Sequence, residues 1–367
     1  MKYLAKLSDW RKLEQGEEIG GDADVTSLVA GVSPFLEAFG NAKTNMNDNS
    51  SRFGKFTKIW LDDGKIIGAE LEHYLLEKAR IVGQGRNERN YHVFYFLLRG
   101  STPEEKKMYF DNGKTKCDDY PKLWEGALKN GKKDPKLGDV TLLGHGHGAE
   151  YDVEHMNNPL AKDPDDTGLR AALLHAHVDE KTQQDMWRIV AGVLRITAME
   201  FQDGASEEKG DVKDKDECSR IAKLLGFQDE GDMGFEALLC CEIRVISKKE
   251  IRCDQTKKQC KDNANALAKE IYGHLFAWLI DTVCNEVLCP SGSKDAFVGL
   301  LDIFGFENFV PTGGSNSIEQ LCINFANEKL QYLFNKHVFD DEKKMYVFCS
   351  SVLITHLLQS TRTQVRK

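Results

Sequence analysis

A polar stretch, NDNSSRFGKF at residues 47–56, places amides, hydroxyls and one arginine directly before an apolar segment. The groups that could do chemistry are Asn47, Ser50, Ser51 and Arg52. Such groups can bind a phosphate and the metal ion that accompanies it. Asn, Asp and Ser also dominate ordinary turns. The stretch alone therefore favours a polar turn, with a phosphate-binding loop as the alternative.

A second segment, LDIFGFE at residues 301–307, complements the first. The near-continuous apolar run 296–303 predicts a fully buried central strand with Asp302 near its end. Such a carboxylate can hold Mg²⁺ through water. Gly305 leaves room and an N–H for a phosphate, and Glu307 can pair with an arginine. One segment supplies Ser and Arg, and the other supplies Asp, Gly and Glu.

The elements around the first segment follow from hydrophobic periodicity. Residues 1–10 have helical spacing, and residues 26–39 repeat apolar side chains at helical intervals before Gly40, a candidate C-terminal cap. Asp63 and Gly64 separate two alternating runs and predict a β-hairpin. A helix should therefore lead towards the polar stretch, and a hairpin should leave it.

Further helices are predicted along the rest of the chain. Residues 179–201 form an amphipathic pattern, and residues 263–287 a long, largely buried one. Residues 89–100 are a buried helix or strand. Ser317 and Gln320 have capping-box spacing at the start of a further helix.

Two other motifs favour structural interpretations. NGKT at 112–115 resembles the end of a phosphate-binding loop, but Met108 stands where that motif needs glycine. A polar turn is favoured there. His145, His147 and His155 lack the helical spacing of zinc sites, so a Gly-rich surface loop is favoured over a metal site.

Composition excludes several classes of protein. The 367 residues are 41% hydrophobic and carry a formal net charge of -9. The chain as a whole is therefore not predicted to bind nucleic acid or an anionic membrane. Ten cysteines without CxxC or zinc-finger spacing indicate reduced thiols in the cytoplasm. No leader and no apolar run of about 18 residues occurs, so membrane insertion is not expected.

Four segments, in their order and spacing, carry a family resemblance. They resemble the myosin motor domain, and the resemblance covers about residues 1–346. The segments are 38–56, 74–98, 300–309 and 317–335.

The resemblance implies an α/β fold class: a fragment of a P-loop NTPase-type motor fold. It also implies a mainly helical upper actin-binding subdomain and a few strands of the central transducer sheet. The implied segments are 1–40 (a helix after the Walker loop, a surface loop and the helix before switch I), 41–74 (switch I and the transducer hairpin), 75–294 (the upper actin-binding subdomain), 295–346 (a central strand, switch II and the relay helix) and 347–367 (a tail unlike the family).

The resemblance also implies a cofactor, Mg²⁺ with ATP. Ser51 would ligate the metal through its hydroxyl, and Asp302 would hold it through water. Asn47 and Ser50 would reach the nucleotide phosphates, and Gly305 would offer its N–H to the γ-phosphate.

Arg52 would pair with Glu307 when the two switches close, and this pair would shape the site around the attacking water. Phosphoryl transfer mostly needs positioning and charge stabilisation, which these residue types provide. The helix 317–339 would transmit a small change at the γ-phosphate into a large movement. The implied catalytic residues are Ser50, Arg52, Gly305 and Glu307.

The chain also departs from the family pattern. No GxxxxGK[ST] motif occurs, and residues 1–7 match the helix that follows this Walker loop in the family. The sequence therefore predicts a chain that begins just after the loop, with weakened or lost ATP binding. Light chains are not expected, because the converter and lever arm are absent.

Three hypotheses follow. In the first, the chain is a segment of an actin-based, ATP-hydrolysing motor of the cytoplasmic cytoskeleton. In the second, it binds actin filaments or another partner without hydrolysis, through residues 242–273, which resemble the actin-contacting cardiomyopathy loop and the helix after it. In the third, the separate chain does not fold stably, because its sheet edges are exposed.

Overall fold

The computed structural model divides the chain into two compact units, Met1–Ile303 and Phe304–Lys367. The three histidines at 145, 147 and 155 and most of the tail after residue 346 lie outside the described residues. The structure describes residues 2–16, 25–85, 88–114, 120, 123, 128–129, 132–133, 169–205, 209–227, 234–246, 249–290, 296–312, 316–340 and 342–347.

The first unit is mainly helical. Its described helices are α1 (Lys2–Glu14), α2 (Val25–Gly40), α3 (His92–Gly100), α4 (Pro103–Tyr109), α5 (Leu169–His175), α6 (Glu180–Ala198), α7 (Lys215–Leu225), α8 (Phe235–Cys240), α9 (Lys257–Trp278) and α10 (Asn285–Val287), with a 3-10 turn at Lys78–Ile81 and a π-helical turn at Leu279–Cys284.

The strands form small sheets, and every described pair is antiparallel. They are β1 (Asn41–Ala42) with β2 (Ser50–Ser51), β3 (Gly54–Asp62) with both β4 (Lys65–Tyr74) and β11 (Ala296–Asp302), β5 (Leu128–Lys129) with β6 (Lys132–Lys133), β7 (Phe201–Asp203) with β8 (Gly210–Val212), and β9 (Cys241–Ile246) with β10 (Lys249–Asp254).

The predicted hairpin is confirmed. β3 and β4 pair in antiparallel register, and the turn residues Asp63 and Gly64 have φ values of 44° and 79°. Positive φ at both positions is the signature of a two-residue type I′ turn, whose twist matches that of the strands.

The prediction that the apolar strand is fully buried is wrong. β11 forms at the predicted place and pairs with β3, but most of its side chains are exposed. Phe297 and Leu301 are 47% and 48% exposed. An apolar run indicates a strand but does not provide the layer that covers it. Within the described residues, β11 lies at an end of the order β11-β3-β4.

The core of the first unit lies where α2, α3, α6 and α9 meet. The Tyr272 hydroxyl on α9 donates a hydrogen bond to the carbonyl of Phe39 at 2.7 Å. The Phe39 ring stacks against Trp187 of α6 at 6.3 Å, and Tyr91 stacks against Tyr272 at 5.1 Å. These aromatic contacts join helices that are far apart in the sequence.

Most helix predictions are confirmed, and one alternative is resolved. Residues 89–100, predicted as helix or strand, contain helix α3, whose described side chains from His92 to Leu98 are buried. Helix α2 ends at Gly40 as expected, but without the positive φ of a glycine cap. A Cβ at Gly40 would lie 2.3 Å from the Phe53 ring, so glycine is required there by packing.

The second unit contains a 3-10 turn (Val310–Thr312), helix α11 (Ile318–Asn335) and a π-helical turn (Lys336–Asp340). The predicted capping box is confirmed: the Ser317 backbone N–H donates to Gln320 Oε1 at 2.8 Å. Ile323 of α11 is buried, whereas Leu321 and Phe325 are exposed. No helix in the described part of the chain is both long and apolar enough to cross a bilayer.

Candidate functional site

The polar stretch forms a tight loop between two short paired strands. Ala42 pairs with Ser50, and Asn41 pairs with Ser51. Inside the loop, the Thr44 backbone N–H donates to the carbonyl of Asn47 at 2.8 Å. The loop is therefore held by its own backbone and hydroxyl groups, while the side chain of Asn47 lies on its exposed side.

Asn49 ties this loop to three surrounding elements. Its Oδ1 accepts from Asn41 Nδ2 at 3.0 Å and lies 3.1 Å from His92 Nε2. Its Nδ2 donates to Glu37 of α2 at 3.1 Å. Asn49 thus joins α2, β1 and α3, and fixes the backbone just before the two serines.

Burial lowers the pKa of His92 to about 3, with smaller contributions from the nearby positive charges of Arg89 and Arg80. His92 is fully buried among aromatic residues of the core and stacks near Phe96. The imidazole is therefore neutral in the folded protein at neutral pH, and Nε2 can carry the proton that bonds Asn49.

We expect acid to destabilise the fold through His92. The unfolded chain binds this proton near the ordinary pKa of 6.5, whereas the folded chain binds it only near 3. Stability from this group is therefore present above pH 6.5 and is lost as pH falls towards 3, by at most about 1.4 kcal/mol per pH unit. Denaturant titrations at several pH values would measure the slope.

His92→Gln is the matched control, because its amide can still donate to Asn49 but does not titrate. Subtracting the pH dependence of stability of His92→Gln from that of the wild type removes the contribution of all carboxylates common to both. Equal pH slopes for wild type and His92→Gln would contradict this assignment.

Arg52 is a fully buried cation, although the stretch that contains it favours a polar turn on sequence alone. Its Nε donates to Glu77 Oε2 at 2.6 Å, and its Nη1 donates to Ser50 Oγ at 3.3 Å. Its backbone N–H donates to the carbonyl of Gly40 at 2.7 Å, and its carbonyl accepts from Glu77 N at 3.0 Å. The residue is thus held through both its side chain and its backbone.

Glu77 is shared by two buried arginines. Arg80 Nε also donates to Glu77 Oε2, at 2.8 Å, and Arg80 Nη2 donates to Glu88 Oε2 at 3.0 Å. Burial acts to raise the pKa of Glu77, but the charges of Arg80 and Arg52 outweigh it and hold the pKa below its usual value. Positive and negative charges thus alternate along a buried chain of contacts, in the order Arg52, Glu77, Arg80 and Glu88.

The two predicted metal-binding residues both lie in the first unit. Ser51 is half-buried at the end of β2, and Asp302 ends β11. Asp302 is the register partner of Lys55, whose Nζ lies 3.2 Å from its Oδ2. A hydroxyl and a carboxylate are oxygen donors of the kind that Mg²⁺ prefers, so the chemistry of each side chain suits the ion.

The two remaining predicted residues lie in the second unit. Gly305 is exposed, and a Cβ there would meet no atom within 4 Å. The backbone of Glu307 forms a two-way bond with Asn324 of α11: Glu307 N donates at 2.8 Å and Glu307 O accepts at 2.8 Å. Glu307 Oε2 accepts from Gln320 Nε2 at 3.3 Å. The segment is therefore tied to the first turns of α11.

Sequence reasoning missed Glu77, Arg80 and Asn49. Glu77 and Arg80 lie within residues 74–98, which carry part of the family resemblance, but no local pattern links them to Arg52. The only available signal was the concentration of charge within a largely apolar stretch. Their pairing depends on the fold.

Comparison with known protein families identifies the family of the chain. The model of the family described as "Myosin head (motor domain)" matches residues 1–349. The chain belongs to the myosin head family. The match extends three residues beyond the predicted limit at 346.

Several curated myosins are similar to the chain. It is 39% identical over 328 residues to unconventional myosin heavy chain 6 of Caenorhabditis elegans, covering 88% of this chain and 14% of that protein. It is 33% identical over 354 residues to human unconventional myosin-Vc (95% and 17%) and 34% identical over 340 residues to human unconventional myosin-VI (90% and 25%). This myosin-head chain therefore spans a quarter or less of the length of each of these relatives.

Proposed function

We propose that the chain is a segment of an actin-based, ATP-hydrolysing cytoskeletal motor. Its membership of the myosin head family carries this proposal. The fold proposed for the complete motor domain is of the P-loop NTPase type, to which this chain contributes small sheets and a mainly helical subdomain. The proposed location is the cytoplasmic cytoskeleton.

Mg²⁺ with ATP is the proposed cofactor, and its metal would supply charge stabilisation at the transferring phosphoryl group. Ser51 and Asp302 would hold the ion, the latter through water. Asn47, Ser50 and Gly305 would contact the phosphates. The buried fixation of Arg52 supports a loop held in one conformation, which positioning catalysis requires.

Arg52 and Glu307 are proposed to pair when the nucleotide is enclosed. The hydrogen bonds of Glu307 to α11 support transmission of this change to that helix, because a shift of Glu307 would displace the residues of α11 that are bonded to it. Small shifts at a ligand are amplified where packed elements have two discrete arrangements.

Actin filaments are the proposed partner. The hairpin β9–β10, within the segment that resembles the actin-contacting loop, exposes Ile243 and Ile251. Arg244, the register partner of Ile251, is exposed on the same face of the hairpin as Ile251 and is paired with Glu242 at 2.8 Å, whereas Ile243 lies on the opposite face. Exposed apolar residues with a charged rim suit a protein partner. Nucleic acid, direct membrane insertion and light chains are not part of the proposal.

The native protein tests the proposal. An antibody against residues 317–334 would isolate it from source cells, and its mass and sedimentation with actin filaments would be measured at low salt. We expect it to pellet with actin and to be released by Mg-ATP. Ser51→Ala should raise the Mg-ATP concentration needed for release about tenfold or more, equivalent to about 1.4 kcal/mol of lost binding.

Ser219→Ala, a serine substitution on α7, is the matched control and should leave release unchanged. Arg52→Ala and Glu307→Ala should each impair release. Pelleting that is indifferent to Mg-ATP would favour the non-hydrolysing alternative, which the comparisons do not favour. Absence of pelleting would contradict both functions.

A further inference from the structure

A side-chain amide bonds the outer edge of the β3–β4 hairpin. Asn285 is the first residue of α10, and its Oδ1 accepts a hydrogen bond from the backbone N–H of Leu71 on β4 at 2.7 Å. Its Nδ2 donates to the carbonyl of the same residue at 3.0 Å. Two residues opposite each other in an antiparallel sheet exchange the same two bonds. Asn285 therefore binds β4 as a neighbouring strand would.

A second contact lies two residues away on the same strand. The Ala69 backbone N–H donates to the carbonyl of Leu288 at 2.8 Å. In the described sheet, β4 lies at one end of the order β11-β3-β4, so the edge of β4 that faces away from β3 needs other partners. Two contacts at this spacing hold β4 at a defined register against the helix end.

The helix end that carries Asn285 is fixed in the core. The chain is helical without a break from Lys257 to Val287, through α9, the π-helical turn and α10. Ile280 and Val283 of the π-helical turn are buried, as is Leu288 after α10. A π-helical turn holds more residues than an α-helical turn, so it changes the face on which the following residue lies. Asn285 is thus presented to β4 from a base that cannot shift without disturbing the core.

The hairpin held in this way carries both partners of a buried ion pair at its open end. Arg52 lies just before β3, and Glu77 lies just after β4. Gly54, the first residue of β3, is the register partner of Tyr74, the last residue of β4. A displacement of β4 would therefore displace Glu77 relative to Arg52.

The link between β4 and Glu77 has an unusual backbone conformation. Leu75 has a φ of 53°, in the left-handed region that residues with a Cβ rarely adopt. Such a conformation persists only where the surrounding structure fixes it. On one side, the Glu77 backbone N–H bonds the carbonyl of Arg52, and on the other, β4 is bonded to Asn285. The strained link is held from both ends.

We propose that Asn285 is a positioning residue, whose amide clamps β4 to the end of the long helix and thereby holds Glu77 and Arg52 in place. The amide does not touch the ion pair and acts on it through the strand. The clamp rests on this geometry alone, whereas its effect on nucleotide-dependent release from actin rests on the proposed function.

Hydrogen–deuterium exchange of the full 367-residue chain, resolved to single amides, tests the clamp. The N–H groups of Leu71, Arg52 and Glu77 report on it, since each donates a hydrogen bond in the structure. In Asn285→Ala we expect all three to exchange about tenfold faster or more, because two hydrogen bonds that hold β4 are lost.

Asn263→Ala is the matched control. Asn263 lies on α9, and its side-chain amide also bonds a backbone carbonyl, that of Leu239, at 3.0 Å. This bond lies near the base of the hairpin β9–β10 and not at β4. Exchange at Arg52 and Glu77 should therefore remain as in the wild type. The same acceleration in Asn263→Ala as in Asn285→Ala would overturn the proposal.

An internal reference separates the clamp from general stabilisation of the fold. The Gly210 backbone N–H on β8 donates to the carbonyl of Gln255 at 2.7 Å. Its exchange should not change in Asn285→Ala. Equal acceleration at Gly210 and Arg52 would overturn the proposal, because it would show that the substitution weakens the whole fold.

Two further measurements apply if Asn285→Ala does not fold. In Asn285→Asp the carboxylate can accept from the Leu71 N–H but cannot donate to its carbonyl, so Arg52 and Glu77 should still exchange faster than in the wild type. In the wild type, native-state exchange at increasing denaturant should show Leu71, Arg52 and Glu77 opening together. Wild-type exchange in Asn285→Asp, or separate opening of Leu71 and Arg52, would overturn the proposal.

The consequence for function is measured on the native protein by release from actin. Asn285→Ala should raise the Mg-ATP concentration needed for release about tenfold, equivalent to about 1.4 kcal/mol, while pelleting without nucleotide stays unchanged. Faster exchange at Arg52 with unchanged release would support the clamp and contradict the function proposed for the loop. Unchanged exchange at Arg52 would overturn the clamp, whatever the release assay shows.

Discussion

Glu77→Ala is expected to lower the free energy of unfolding by about 3–5 kcal/mol, because it removes a carboxylate that two buried guanidiniums share. The side chains of Arg52 and Arg80 are each 1% exposed, and that of Glu77 is 12% exposed. Without the carboxylate, neither cation can regain water without opening the core. Urea denaturation followed by circular dichroism would measure the loss.

Glu270→Ala is the matched control, because Glu270 pairs with Lys78, the neighbour of Glu77, at 3.1 Å on the surface. An exposed pair of this kind contributes about 0–1 kcal/mol. Similar losses for Glu77→Ala and Glu270→Ala would show that the buried network does not stabilise the fold as described.

The same carboxylate predicts a pH effect of defined sign. The two arginines hold the pKa of Glu77 below its usual value. The stability that Glu77 contributes is therefore present at pH values above the usual pKa of a carboxyl group, and it is lost as the pH falls through the pKa of Glu77 in the folded state. The difference in stability between wild type and Glu77→Ala should shrink in acid.

Arg195→Ala should have a comparable effect on another part of the first unit. The Arg195 side chain is 1% exposed and binds Glu217 through two bonds, from Nε at 2.8 Å and from Nη2 at 2.9 Å. Its Nη1 donates to the carbonyl of Tyr109 at 2.9 Å, and Asp111 Oδ1 lies 2.9 Å from Nη2. One guanidinium thus joins α6 to α7 and to the end of α4.

Removing Arg195 takes this donor away from the largely buried Glu217 carboxylate and from a buried carbonyl. We therefore expect the free energy of unfolding to fall by about 3–5 kcal/mol. Thermal and urea unfolding would both report it. Arg188→Ala on the same helix is the control, since Arg188 is 41% exposed and pairs with Asp185 of its own helix. A loss below about 1 kcal/mol for Arg195→Ala would contradict the role of this cluster.

Local structure could be predicted from the sequence because its causes lie within a few residues of one another. The Asp63-Gly64 turn requires two positions with positive φ, and this dipeptide supplies them. The capping box of α11 needs only Ser317 and Gln320. The family could be recognised for a similar reason, because its motifs are short and contiguous. The nucleotide-binding roles assigned from those motifs remain predictions.

Burial and charge pairing depended on the fold, because their causes lie far apart along the chain. The apolar run of β11 predicted a strand correctly, but its exposure depends on which layers cover the sheet. Gly40 ends its helix, and the ring that excludes a side chain there belongs to Phe53. The sequence places Arg52 in a polar stretch, and only the fold brings Glu77 Oε2 to 2.6 Å from its Nε. Periodicity and capping report interactions between near neighbours, whereas the environment of a buried charge is built by segments that only folding brings together.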